Sequence, residues 1–323
     1  MREEREKTIE KRDILILGSG PAGLSAALYA ARADLEPLVL TGMTLHGQAS
    51  TTDTIENYPG FPEGIGGVEL GQLFQTQAER FGAEIEMDMA TAVDLKNQPY
   101  LVETYSKQFE VKTLIITTGA NPKKLRVPGE KAFTGRGVSY CGTCDGWFFK
   151  DKDVVVVGGG DSALEEGLFL TRFARTVTII HRRDELRASA VLQNRAFSNP
   201  KIKFIWNTIV TEIVGEETLK AVRLENVETG DEQIHQTDGV FIFIGHTPNS
   251  QMFAGQLDLD EKGYIEVNKY METSVPGVYA AGEIADPHFR QVITSAGMGA
   301  AAAIQATRYL ENLEEDTKVQ TPV

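Results

Sequence analysis

Residues 13–23 read DILILGSGPAG, an apolar run delivered straight into a glycine-rich hexapeptide. The next stretch, LSAALYAARAD (24–34), has the alanine and leucine content and spacing of a packed helix. The succession is strand, tight turn, helix. In GSGPAG, Gly18 permits the tight turn, Gly20 lets the backbone approach a pyrophosphate, and Gly23 lets the helix pack on the strand. The helix N-terminus at Ser19, Pro21 and Ala22 then faces the phosphates. One such hexapeptide is weak evidence, because a strand-to-helix turn needs no ligand. The same grammar returns 140 residues later, where DVVVV (153–157) runs into GGGDSA (158–163) and LEEGLFLTRFA. Two matches, each behind an apolar strand, make two nucleotide-binding units, a duplication of architecture and not a solenoid repeat.

The units diverge where the second strand ends, roughly twenty residues past the glycines, at the position that chooses between ribose hydroxyls and a 2′-phosphate. The first has LVLTG (38–42) there and the second VTIIHRRDELRAS (177–189). His181, Arg182, Arg183 and Arg187 offer guanidinium forks matched to a phosphate dianion. With Gly158, Gly160, Asp161, Ser162 and Ala163 they predict an NADPH site. The bland alternative is a solvated helix start whose arginines pair with Asp184 and Glu185. The first unit has only Thr41 and Gly42 before the polar loop MTLHGQASTT (43–52). A bulkier cofactor, FAD, suits a domain split around an insert.

Charge supports that split. The net charge of −14 comes from 46 acidic and 32 basic residues, yet residues 123–250 hold 17 of each. The middle segment is compositionally a different domain, bracketed by ANPKKLRVPGE (120–130) and GHTPNS (245–250), whose Pro, Gly and Asn suit crossings between domains. An acidic chain is a poor partner for nucleic acid. The opening MREEREKTIEKR lacks the apolar middle of a secretory signal, and no segment approaches eighteen apolar residues, so a cytoplasmic protein is expected.

Between the first unit and the crossing, VELGQLFQTQAERFG (68–82) reads as a helix, EIEMD, TAVDL, YLVETY and QFEVK as short strands, and TLIITTGA as the return to the parallel sheet. Late in the chain GYIEVN (263–268) and GVYAAG (277–282) read as strands and 291–315 as a long Ala-rich helix. The expected fold is α/β, with two Rossmann-like three-layer nucleotide-binding domains, the second inserted in the first. The expected boundaries are a flexible lead at 1–12, an FAD-binding domain at 13–122 and 251–315, an NADPH-binding domain at 123–250 that carries the dithiol, and a frayed tail at 316–323.

SYCGTCDGW (139–147) contains the only two cysteines, Cys141 and Cys144. Two thiols at this spacing are no disulfide framework for a secreted scaffold and cannot complete a four-cysteine zinc site; the nearest histidine is His181, so no metal site is expected. A Cys-x-x-Cys pair can instead alternate between dithiol and disulfide by thiolate exchange. Asp145 follows directly. A carboxyl desolvated beside a thiolate and a reduced flavin could deliver a proton to the departing sulfur, whereas the plain reading of CDG is a turn aspartate.

The segments GSGPAGLSAALYAAR, ENYPGF, YCGTCDG, GGGDSALEE, HRRDELRA, IGHTPN, TSVPGVYAAG and FRQVITSAGMGAAAA occur in one order. In that order and spacing the chain resembles the low-molecular-weight, bacterial-type thioredoxin reductases over nearly its whole length. The resemblance implies FAD against Gly18 to Gly23, the loop from Thr41 through Gly47 and Gln48, Asn57, Gly282, Glu283, Arg290, Gln291 and Val292. It implies that Cys144 faces the flavin, that Cys141 exchanges with a thioredoxin-type protein disulfide, and that Asp145 is the acid. It further implies a homodimer and an inserted domain that turns between two orientations. Two residues depart from the family pattern: Glu283 stands where Asp is usual, and His46 where glycine is common. Competing readings are the flavoprotein half of a peroxide-reducing system, which carries an extra N-terminal thioredoxin-like region, and a non-catalytic flavin and NADPH redox sensor. A ferredoxin-driven reductase of the same core would lack HRR and the second glycine turn.

Overall fold

The computed structural model describes residues 9–52 and 54–320. It divides into two compact units, one formed by residues 1–121 and 247–323 and the other by the intervening 122–246. The first unit opens with β1 (Ile9–Leu17), α1 (Pro21–Arg32), β2 (Leu38–Leu40), α2 (Gly67–Arg80), β3 (Glu84–Glu86), β4 (Ala90–Asp94), β5 (Tyr100–Thr104) and β6 (Gln108–Ile116). The first crossing is β7 (Ala120–Pro122). The second unit contains α3 (Glu130–Phe133), β8 (Val138–Ser139), α4 (Gly142–Asp145), β9 (Asp153–Val157), α5 (Asp161–Leu170), β10 (Thr176–Ile180), α6 (Ala190–Phe197), β11 (Ile202–Ile205), β12 (Thr208–Gly215), β13 (Leu219–Asn226), β14 (Glu232–Gln236) and β15 (Gly239–Ile242). The chain returns through β16 (His246–Pro248) and finishes with β17 (Val278–Ala280) and α7 (Val292–Gln320).

The first unit is a seven-stranded sheet in the order β3-β2-β1-β6-β5-β4, with β17 also on β6. Strand β6 pairs with β1 on one edge and serves two partners on the other: its first half pairs antiparallel with β5 and its second half parallel with β17. The expected antiparallel insert is therefore continuous with the parallel sheet, and QFEVK and TLII are one strand. Because side chains alternate along a strand, Leu15, Leu17, Leu114 and Ile116 enter one core, whereas Ile14, Ile16 and Ile115 enter the other. That second core is filled by alanines of α1 and α7, among them Ala26, Ala27, Ala30, Ala302, Ala303 and Ala306. Small side chains let the two helices approach closely. A Cβ at Gly299 of α7 would collide with the Ala22 carbonyl of α1.

Three boundaries differ from expectation. The lead is shorter than twelve residues, because Ile9–Arg12 pair with Gln108–Val111. Surface ion pairs flank this extension, Lys11 with Glu110 at 3.2 Å and Arg12 with Glu84 at 2.8 Å. GYIEVN forms no strand beyond a bridge between Leu259 and Ile265. Helix α7 continues to Gln320, five residues into the expected tail; residues 1–8 and 321–323 of the expected lead and tail lie outside the described residues.

The second unit has a five-stranded parallel sheet, β11-β10-β9-β15-β8. On one face Val154, Val156, Val177, Ile179 and Phe241 pack with Ala163, Leu164 and Leu170 of α5 and Ala196 of α6. On the other, Val155, Val157, Ile180, Val240 and Ile242 meet Val210, Ile213, Val222 and Leu224. The third layer here is the antiparallel sheet β12-β13-β14, not helices. Among the described residues no helix is long and apolar enough to cross a membrane.

Candidate functional site

Strand β1 delivers Gly18 in a left-handed conformation, φ 110°, with its N–H on the Leu40 carbonyl at 2.8 Å. A side chain at Gly18 would strike the Thr117 carbonyl, and one at Gly23 would strike Gly18 itself. Thr117 Oγ1 locks the turn by donating to Leu17 O and lying 3.0 Å from Gly18 O. Ser19 is buried, with Oγ 3.4 Å from the Thr41 carbonyl, and it accepts the His46 N–H at 3.2 Å. Gly20 caps α1 without a side-chain bond, and Pro21 follows at the first position. The first-turn amides of α1 are thereby left for a ligand.

The loop after β2 folds over this turn. Thr41 and Gly42 donate to Glu86 O and Asp88 O at 3.0 Å each, and Gly42 borders open space. A Cβ on Gly47 would stand only 2.9 Å from Gly20 Cα, so two glycines meet backbone to backbone. Gln48 Nε2 donates to the Ala120 carbonyl and to Asn121 Oδ1. Asn57 Nδ2 reaches Gln291 Oε1 at 3.1 Å across 234 residues of chain, beside Val292 at the start of α7. Gly282, with φ 78°, places a would-be Cβ 2.9 Å from Ala22 Cβ. Its neighbour Glu283 is half-buried, and burial pushes its carboxyl from the ordinary 4.5 to about 7, with Arg290 opposing and Asp286 reinforcing the rise. Asp286 holds Arg290 in turn, accepting the N–H groups of His288, Phe289 and Arg290 at 2.9, 2.9 and 3.1 Å. A rim of amides, amide side chains and a protonatable carboxyl suits a dinucleotide with a polyhydroxylated linker.

His46, one of the two expected departures from the family pattern, has a strained φ of 63°. Its ring fills the space over Gly71, where a Cβ would overlap it, and Nε2 lies 2.9 Å from Gln75 Oε1. The departure is thus matched by a glycine on α2.

In the second unit Gly160 caps α5 without a side-chain bond and faces open space, as a pyrophosphate requires. Asp161 accepts the Ser189 N–H at 2.7 Å, and the Arg187 N–H donates to Gly159 O at 2.8 Å, so the arginine loop is stitched to the glycine turn. Leu186 and Ala188 anchor it in the core, while Arg182, Arg183 and Arg187 stay exposed. Among the described residues none of the three is ion-paired with Asp184, Glu185 or another carboxylate. His181 behaves differently. It is 5 % exposed, its ring lies under Gly159 where any Cβ would overlap it, and its Nε2 has no partner. Burial, then Arg187, lowers its pKa, so it stands neutral beside the arginines. Gly158 is pressed against Phe243 O and Ala163. Ser162 and Ala163 sit in the first turn of α5.

The two cysteines form a disulfide across α4, with Cα atoms 5.3 Å apart. Both are half-buried. Cys141 Sγ accepts the Cys144 N–H at 3.2 Å and lies 3.4 Å from Thr143 Oγ1. Asp145 ends α4, its N–H on Cys141 O at 3.2 Å. Buried Ser139 bonds Cys141 twice, accepting its N–H at 3.0 Å and donating to its carbonyl at 3.1 Å. The sequence reading does not single out Ser139, Thr117 or Gly71, and takes Gly159 only as part of the 158–163 turn. The glycines were visible in GQLFQ and GGG, but their demand for space comes from His46 and His181, remote in sequence.

A disulfide that follows the first glycine turn and precedes the second in the chain, the second turn bordered by exposed arginines, defines a nucleotide-dependent disulfide oxidoreductase. The family model for pyridine nucleotide-disulphide oxidoreductases matches residues 12–300. The thioredoxin reductase of Streptomyces coelicolor is 48 % identical over 312 residues, covering 96 % of this chain and 97 % of that one. The crystal structure of thioredoxin reductase from Streptococcus pyogenes superposes with a TM-score of 0.90 at 44 % identity, covering 94 % of this chain and 99 % of that one. A bifunctional thioredoxin reductase/thioredoxin of Mycobacterium leprae is 48 % identical over 300 residues, 92 % of this chain and 66 % of its own length. The chain belongs to the thioredoxin reductases of the pyridine nucleotide-disulphide oxidoreductase family, whose cofactors are FAD and NADPH.

Proposed function

We propose that the chain reduces the disulfide of a thioredoxin-type protein at the expense of NADPH. The observation that carries the proposal is the Cys141–Cys144 disulfide, seated at the start of the inserted unit in a chain with two nucleotide turns. FAD held by the first unit would supply the chemistry that relays an electron pair from NADPH to the disulfide. The first unit, through Gly18–Gly23, Thr41–Gln48, Asn57 and Gly282–Val292, is the proposed holder of FAD. The second, through Gly158–Ala163 and the 181–187 loop, is the proposed holder of NADPH, its arginines addressing the 2′-phosphate bidentately.

The rest is sulfur chemistry performed by the chain. Two electrons and two protons convert the disulfide to Cys141 and Cys144 thiols. The Cys141 thiolate attacks one sulfur of the partner's disulfide and releases the other as a thiolate, and Cys144 then displaces the mixed disulfide. The partner leaves as a dithiol and Cys141–Cys144 is restored. The Cys144 N–H that points at Cys141 Sγ stabilises the attacking thiolate, and Asp145, the residue after Cys144, returns a proton to a departing sulfur. The fused thioredoxin of the Mycobacterium leprae relative supports a thioredoxin-type partner. The homodimer and the cytoplasmic setting belong to the same proposal and follow the resemblance alone.

The test is anaerobic. FAD-loaded protein receives one equivalent of NADPH while flavin absorbance is followed, then oxidised thioredoxin. Bleaching and recovery, with recovery absent in Cys144→Ser, is the expected result. Bleaching without recovery in the unsubstituted protein would point to the sensor reading.

A further inference from the structure

Glu130 is a buried carboxylate, 3 % exposed. Its oxygens accept the N–H groups of Leu125 at 2.9 Å and Arg126 at 2.6 Å, and the hydroxyl of Tyr140 at 2.8 Å. Among the described residues no lysine or arginine is ion-paired with it. A carboxylate taken from water and held by three uncharged donors is costly to leave short of any one of them. The turn it clasps is itself strained, since Arg126 adopts φ 62° without being glycine.

The three donors come from two places. Leu125 and Arg126 belong to the segment by which the chain arrives in the second unit. Tyr140 is the residue immediately before Cys141, and Ser139, one step further back, already bonds Cys141 twice. Lys124, from the same arriving segment, lies over the Tyr140 ring, its Nζ 6.0 Å from the centroid. Burial first, and Glu130 second, raise the pKa of the Tyr140 phenol, so its hydroxyl stays a donor at working pH. The ring is also partly buried against Phe133, Val138 and their neighbours. Removing the hydroxyl alone therefore cuts the link and leaves the packing.

We propose that Glu130 and Tyr140 are positioning residues of the disulfide exchange: their carboxylate–phenol contact ties the turn that bears Cys141 to the incoming chain at Leu125–Arg126 and fixes where Cys141 stands when it meets a protein disulfide. The inference rests on the exchange role proposed for Cys141. It predicts an effect on sulfur chemistry alone, since neither residue belongs to a nucleotide turn.

Tyr140→Phe in the flavin-loaded, full-length enzyme separates the steps. Flavin bleaching by NADPH should match the unsubstituted enzyme. The rate of thioredoxin reduction should fall about tenfold, as a misplaced reacting group does, and the reduction potential of the Cys141–Cys144 couple should move. Glu130→Gln should act in the same direction and also lower the melting temperature, because its amide nitrogen cannot accept one of the three donors, so Tyr140→Phe is the variant that decides. A Tyr140→Phe enzyme with unchanged exchange rate and potential overturns the inference, as does one whose only defect is a lower melting temperature. An unsubstituted enzyme that bleaches but never reduces thioredoxin overturns the exchange reading itself, and is recognised before any variant is made.

Discussion

The two glycine turns share a strand, a turn and a helix, and they use the resulting space in opposite ways. The first is enclosed by its own unit: the 41–48 loop folds back until Gly47 meets Gly20, Ser19 is buried beneath it, and Gln48 is tied to Ala120 and Asn121. The second is packed hard only underneath, by Phe243 and His181, while Gly160 faces open space and three arginines stand exposed around it. An occupant wrapped by a loop must wait for that loop to open before it can leave. One held by charge at a rim can exchange at every turnover. The contrast is what the proposed assignment, a resident flavin in the first unit and a travelling nicotinamide nucleotide in the second, requires of one motif.

The largest expected difference is at the helix glycines. Gly23→Val would drive a side chain into the Gly18 carbonyl and Thr117, and overpacking at a rigid site costs about 3 kcal/mol or more. The protein should be purified colourless or not at all. Gly160→Ala meets no atom, so its melting temperature should be unchanged while its KM for NADPH rises; equal damage at the two positions would erase the contrast.

Next comes pH. Glu283 has a folded-state pKa of about 7 against an ordinary 4.5. A raised acid holds its proton longer in the native state, so the stability it lends is complete below pH 4.5 and is lost as pH rises through about 7. Flavin-free protein should lose on the order of 2–3 kcal/mol over that window, and Glu283→Gln should flatten the thermal-melt profile. Parallel profiles would mean that the carboxyl ionises normally.

At the rim, Arg182→Gln with Arg183→Gln removes charge-assisted bonds expected to contribute about 2 kcal/mol together. KM for NADPH should rise roughly thirtyfold, with kcat and the KM for NADH little changed. Equal losses with NADPH and NADH would detach the arginines from the 2′-phosphate.

The smallest effect concerns His46. Gly71→Ala should destabilise by about 1–2 kcal/mol through its collision with the His46 ring, and His46→Gly in the same chain should restore stability and relieve the strained φ. Additive losses in a chemical-denaturation cycle would show that the two residues do not share one space.

Much of this contrast was readable in the chain. The apolar runs before both glycine turns, the missing acid after LVLTG and the clustered arginines after VTII are local signals, and all of them sit where expected. Two kinds of feature were not readable. Strand ends fixed by pairing with a distant strand, such as Ile9–Arg12 against Gln108–Val111, look polar and unstructured in a local window. Steric pairs such as His46 with Gly71 and His181 with Gly159 exist only after folding, so nothing local in the sequence says that His181 also packs beneath the glycine turn. Glu130 was read only as the end of a crossing segment, because nothing nearby in sequence says that its partner is Tyr140.

The crossings themselves carry a last consequence. Strands β7 and β16 pair with each other, and the Lys123 N–H reaches Gly245 O at 2.9 Å, so the chain departs and returns through neighbouring doorways. A segment with adjoining ends can be cut out and its scar closed by a short turn without stretching its host. The middle of this protein is in that sense a cassette, open to wholesale transplantation between relatives while the parent sheet keeps its register.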